Sequence, residues 1–87
     1  MYQVIAKEKI KKYLKNIPPR DAEKILDIFV LLENNPTPYG YKKLAGYPNF
    51  YRIRQRDYRI IYKIDNEKKT IYIAFLSHRK DVYRNLN

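Results

Sequence analysis

Apolar positions change their spacing several times along the chain, and each change predicts an element. Residues 1–5 are β-branched and aromatic, which predicts a short strand. Ala6, Ile10, Tyr13, Leu14 and Ile17 then recur at steps of four, three, one and three. They make one face of a helix whose remaining surface carries Lys7, Lys9, Lys11, Lys12 and Lys15. Pro18 and Pro19 stop it, and proline suits the first turn of a following helix. Asp21 and Glu23 sit where a helix N-terminus favours anions. Ala22, Ile25, Leu26, Ile28, Phe29 and Leu32 carry this second helix. Val30 and Leu31 make its last turns apolar almost all round, which predicts a surface covered either by a partner or by the chain's own loop at 36–48 or C-terminal segment. Asn34-Asn35-Pro36 ends it. So short a connection makes the two helices an antiparallel hairpin.

Residues 35–49 hold three prolines and both glycines, and predict a loop with a short turn at Lys42-Lys43-Leu44. Three strand-like runs follow with no helix between them, at 50–55, 58–64 and 70–76. Consecutive strands with short connections form an antiparallel meander. The predicted order is β-α-α-β-β-β. It describes an α+β domain over residues 1–87, with the helical hairpin on one face of a mostly antiparallel four-stranded sheet.

Alternation within the strands separates two faces. If residues 55–58 form a hairpin turn, Arg54 lies opposite Arg59, Ile53 opposite Ile60, Arg52 opposite Ile61 and Tyr51 opposite Tyr62. Tyr51, Ile53, Ile60 and Tyr62 then make an apolar face for the helices. Phe50 faces the other way, where Arg52, Arg54 and Arg59 gather. Two arginines directly opposite repel unless an anion sits between them. A local rule broken in this way marks a functional surface. Continued into the last strand, the register adds Ile73, Phe75, Ser77 and Arg79 to the arginine face.

Charge sharpens this reading. Residues 1–40 hold seven basic and five acidic side chains, whereas residues 41–87 hold twelve and four, within a total net charge of +10. A basic half of this kind fits a polyanion, most often nucleic acid. There is no Cys and one His, His78, so thiolate catalysis and Cys-ligated or multi-His metal sites are excluded. No apolar run approaches the ~18 residues of a membrane span, and the N-terminus turns polar too soon for a secretory signal. A soluble, cytoplasmic protein is expected. The chemistry left is phosphate chemistry, in which arginines stabilise a phosphorane while RNA brings its own 2′-hydroxyl nucleophile. Tyr51 or Tyr83 could stack a base. His78 is a candidate by residue type, but its alternation puts it off the arginine face.

Leu44-Ala45-Gly46, Tyr51-Arg52-Ile53-Arg54, Asp57-Tyr58-Arg59-Ile60-Ile61-Tyr62 and His78-Arg79-Lys80-Asp81-Val82-Tyr83, in that order and spacing, resemble the RelE/ParE toxins of toxin–antitoxin systems. The ending is similar to the RelE branch. The resemblance implies a fold related to microbial ribonucleases. It also implies a metal-independent, cofactor-free endoribonuclease that cuts mRNA in the ribosomal A site and leaves a 2′,3′-cyclic phosphate. An acidic, helical antitoxin would neutralise it in a hetero-oligomeric complex, with Val30 and Leu31 as candidate antitoxin contacts. The family's two basic positions on the second strand fall on Arg52 and Arg54. Its phosphate-stabilising arginine falls on Arg59, its leaving-group arginine on Arg79, and its base-stacking tyrosine on Tyr83. Lys42, Lys43, Arg56 and Tyr51 are further candidates for RNA contact.

Two positions depart from the family pattern. Family members often carry Lys on the second strand, where a neutral amine can act as a base. Arginine stays protonated and is a poor base. Members also often have Gly before the Asp of the hairpin, where this chain has Arg56. Two other functions remain open at this point: a ParE-type inhibitor of DNA gyrase, and a non-catalytic RNA-binding relative. The basic second strand and the Arg79…Tyr83 ending favour the ribonuclease.

Overall fold

A computed structural model describes residues 1–80. The chain runs β1 (Gln3–Ala6), α1 (Glu8–Lys15), α2 (Pro19–Asn34), β2 (Lys42–Lys43), β3 (Phe50–Gln55), β4 (Tyr58–Asp65) and β5 (Thr70–His78). The helical hairpin packs on one face of the sheet. Glu8 in the first turn of α1 and Lys12 and Lys15 in its last turn complement the helix dipole. Pro19 opens α2 at a position where its missing N–H costs nothing. Ile10, Ile25, Phe29 and Leu32 point from the helices into a core completed by Ile53, Tyr58, Ile60, Tyr62, Ile64, Ile71, Ile73 and Leu76.

The sheet order is β1-β5-β4-β3-β2. It has five strands, not the four expected. The proposed turn at Lys42-Lys43-Leu44 instead pairs with β3, Lys42 with Arg52 and Lys43 with Tyr51. Two residues are too few for a period-2 pattern to show. At the other edge β1 lies parallel to β5, because the α1–α2 hairpin carries the chain back across the sheet before the meander begins.

The β3–β4 hairpin has the register predicted from alternation, with Arg54 opposite Arg59 and Tyr51 opposite Tyr62. Its two-residue loop is Arg56-Asp57, and Arg56 has φ 54°. A left-handed backbone costs an L-residue about 1–2 kcal/mol, and glycine gives back part of the difference through unfolded-state entropy. Arg56→Gly is therefore expected to stabilise the fold by about 0.5–1 kcal/mol. A thermal melt should show this as a rise of a few degrees; a fall would contradict it.

The β4–β5 pairing contains a bulge. Ile61 pairs with Phe75 but Tyr62 pairs with Ile73, leaving Ala74 as the extra residue. The bulge corrects one expectation. Phe75 and Ser77 share the face of Arg59, but Ile73 turns to the helix side and is buried. Strict alternation would place Ile71 and Ile73 in the core and Leu76 outside it. The extra residue lets all three be buried.

Tyr62, fully buried, donates a 2.7 Å hydrogen bond to the Pro36 carbonyl and ties the loop after α2 to the sheet. Burial pushes its phenol well above the usual tyrosine value of 10.0, and Tyr51 and Tyr41 add to the rise. The native state thus holds this proton where the unfolded chain releases it. Stability from this group is complete below about pH 10 and is lost as pH climbs beyond it. Denaturant titrations at rising pH should show a smaller alkaline loss for Tyr62→Phe than for the parent. An equal loss would contradict the assignment.

Candidate functional site

The face of the sheet turned away from the helices carries the arginines. β3 contributes Phe50, Arg52 and Arg54 by alternation, and β4 contributes Arg59, Ile61 and Lys63. Arg54 and Arg59 are direct cross-strand partners. Such pairs have their Cβ atoms about 4.5–5.5 Å apart. Arg54 is exposed and Arg59 half-buried. Among the described residues no carboxylate pairs with Arg52, Arg54 or Arg59. The Asp57 carboxylate lies 3.9 Å from the Arg79 guanidinium and 4.0 Å from Nε2 of His78.

Arg79 follows the last residue of β5. Its backbone N–H donates to the Asp57 carbonyl at 2.7 Å, continuing the β4–β5 ladder around the hairpin loop. This holds it at the Arg54–Arg59 end of the sheet, with a mostly exposed side chain. Beside Arg59, Ser77 is 2% exposed, and its hydroxyl has no partner among the described residues. Lys42 is the partner of Arg52 and extends the basic row to the sheet edge. Lys43, its neighbour on β2, is also exposed, as is Arg56 on the hairpin loop.

Two candidates stand apart from this cluster. Tyr51 lies on the helix side, half-buried between Tyr41 and Tyr62 at ring distances of 5.8 and 5.9 Å. Its pairing with Tyr62 packs it against the core, on the face opposite the arginines. His78 is the partner of Tyr58 on the same helix side and packs edge-on against that ring at 5.1 Å. Its Nδ1 accepts a hydrogen bond from the Lys80 backbone N–H, and the His78 backbone N–H donates to the Tyr13 hydroxyl. Tyr58 in turn donates to Asp21 at 2.7 Å. These contacts join the last strand to both helices, a structural role. Tyr83 lies outside the described residues.

On the helix layer, Ile25, Phe29 and Leu32 face inward, while Leu26, Val30 and Leu31 are 49%, 57% and 43% exposed. Leu31 and Ile28 line a groove of about 410 Å³ whose opposite wall includes Arg52 and Arg54. The apolar patch of α2 thus leads directly to the edge of the arginine face. Alternation places Phe50 on the arginine face; sequence reasoning missed its partner Lys63, although that pairing follows from the same register as Arg54 and Arg59.

A family model described as the ParE toxin of type II toxin–antitoxin system, parDE, matches residues 2–83. The chain is 33% identical over 75 residues to Toxin RelG of Mycobacterium tuberculosis, across 82% of this chain and 83% of RelG. It is 34% identical over 76 residues to Toxin RelE3 of Methanocaldococcus jannaschii, across 83% and 84%. Its fold matches a chain of the archaeal RelE–RelB complex from Pyrococcus horikoshii OT3 with a TM-score of 0.81 and 31% identity, over 90% of this chain and 94% of that one. The isolated E. coli RelE toxin shares the fold at a TM-score of 0.78, with 19% identity over the whole of both chains. The chain belongs to the RelE/ParE superfamily of type II toxin–antitoxin toxins, on its RelE-like branch.

Proposed function

We propose that this toxin is a ribosome-dependent endoribonuclease that cleaves mRNA in the A site and is neutralised by an acidic, helical antitoxin. The observation that carries the catalytic reading is the Arg54–Arg59 cross-strand pair, without a carboxylate partner among the described residues. A phosphate between the two relieves their repulsion. It gains negative charge as it becomes a phosphorane, so the pair binds the transition state better than the ground state. In the reaction the RNA 2′-oxygen attacks the adjacent phosphorus and its proton passes to solvent. The bond to the 5′-oxygen breaks, and that oxygen takes up a proton. A 2′,3′-cyclic phosphate is left. Arg59, Arg54 and Arg52 hold the phosphoryl oxygens. Arg79, at the same end of the sheet, stabilises the departing 5′-oxygen, and Tyr83 stacks a substrate base. No arginine of the set can remove the 2′ proton, so their contribution is charge and position.

In vitro translation with primer extension on the message tests this reading. Cuts within A-site codons are expected. Uninterrupted translation together with stalled, DNA-cleaved gyrase would instead establish gyrase inhibition.

The antitoxin reading rests on the exposed Leu26, Val30 and Leu31 and on their groove to Arg52 and Arg54. A partner helix seated there buries apolar surface and brings its acids beside the arginines. On complex formation, hydrogen exchange within residues 20–34 should slow. Unchanged exchange throughout that segment would sink the assignment.

A further inference from the structure

The arginines are only part of the outer face. Three cross-strand rows succeed one another along it. The first is Arg54, Arg59 and Ser77; the second is Lys42, Arg52, Ile61 and Phe75; the third is Phe50, Lys63, Tyr72 and Ile5. Neighbouring rows lie about 6.8 Å apart, two residues of extended strand. That step suits one nucleotide of an extended single strand. The third row floors an open groove of about 510 Å³ that runs to Lys7 and Lys9 at the start of α1. Three lysines and no acid line it. The Lys63 ammonium lies 5.9 Å from the centre of the Phe50 ring, and the exposed Tyr47 meets that ring edge-on at 6.3 Å.

We propose that this groove is a second RNA subsite, which takes a nucleotide flanking the scissile phosphate, stacks its base on Phe50 and holds its phosphate with Lys63. The proposal rests on the reading that RNA lies along the arginine rows, and it adds where the strand goes next. Aromatic faces stack any base, and a neighbouring ammonium tracks the backbone, so the site binds without reading sequence. An acidic peptide would share the charge. However, this row exposes a single large aliphatic side chain, Ile5 at 39%, whereas Leu26, Val30 and Leu31 form an exposed aliphatic cluster across the sheet in the helix layer.

Equilibrium binding to the free chain tests the subsite, using a ribohexanucleotide with 2-aminopurine at one end and an unlabelled trinucleotide. The parent should quench the 2-aminopurine. Phe50→Ala should abolish the quench and weaken the hexanucleotide about tenfold or more, while leaving the trinucleotide unchanged. Phe50→Leu, which keeps an apolar side chain against the sheet, should lose the quench while melting like the parent. Lys63→Gln should lower the salt slope for the hexanucleotide by about 0.7. A quench that survives both Phe50 variants, or equal weakening of both RNAs, overturns the subsite. So does slowed exchange at residues 47–50 on adding antitoxin when RNA gives no quench. The arginine reading fails separately, if Arg59→Ala leaves trinucleotide affinity unchanged.

Discussion

Arg59→Ala should slow single-turnover cleavage on saturated ribosomes by about 10²–10³-fold, or about 3–4 kcal/mol, while ribosome binding stays nearly intact. Several features of this one residue set the size of the effect. Arg59 is half-buried, so its charge acts through a medium less polar than water. It sits directly across from Arg54, so the strand register sets both side chains on one face before substrate arrives. Its neighbour on β5, Ser77, is buried and brings no competing charge. Arg59→Lys should recover only part of the rate, because an ammonium keeps the charge but loses the planar fork. Arg79→Ala should also slow the step, through the leaving-group role proposed for it at this end of the sheet. His78→Ala should cost little in rate, its imidazole being held on the helix side. If His78→Ala abolished cleavage and Arg79→Ala were mild, the assigned roles would be reversed.

The second large effect concerns the support beneath these arginines. Ile60 follows Arg59 in β4 and points the other way, fully buried against the helices. Ile60→Ala removes three carbons from the centre of the core and should destabilise the fold by about 2–5 kcal/mol. For a domain of this size that lowers the melting temperature by about 10 °C or more. A chain of 87 residues has little stability to spare, so a fraction of the variant should be unfolded at growth temperature. Far-ultraviolet circular dichroism through a thermal melt reads the change. A shift of only a degree or two would mean that the neighbouring Ile53 and Leu76 close over the gap.

The parts of the fold that could be read from the sequence are those with enough repeats to fix a period. Helix α1 shows its inner face through Ile10, Tyr13 and Leu14, and Ile10 is buried as that spacing requires. The β3–β4 register was legible because one turn position sets every pair at once, and Tyr51, Ile53, Ile60 and Tyr62 could then share the apolar side only one way. The bulge at Ala74 was not legible. Its cause is the need to bury Ile73 and Leu76 together, which appears only when the helices are in place. The Lys42–Lys43 strand was hidden by its length, and the parallel pairing of β1 by its distance in sequence from β5. For the site, the arginine pair could be found from alternation alone. Alternation also put Phe50 on the arginine face, but Lys63 and Tyr72 join it only when the strands are laid side by side.

The central claim is that the RNA supplies its own nucleophile and the arginines supply the charge. A message carrying a single 2′-deoxynucleotide at the cleavage position tests it directly. The substitution removes the attacking oxygen and leaves the phosphate, the base and every arginine contact in place. On ribosomes paused with that codon in the A site, the toxin should bind as before and leave the message whole. The all-ribose control should be cut, with a 2′,3′-cyclic phosphate at the new end. Cleavage of the deoxy-substituted message at the same bond would mean that water or a protein side chain attacks, and would contradict the account.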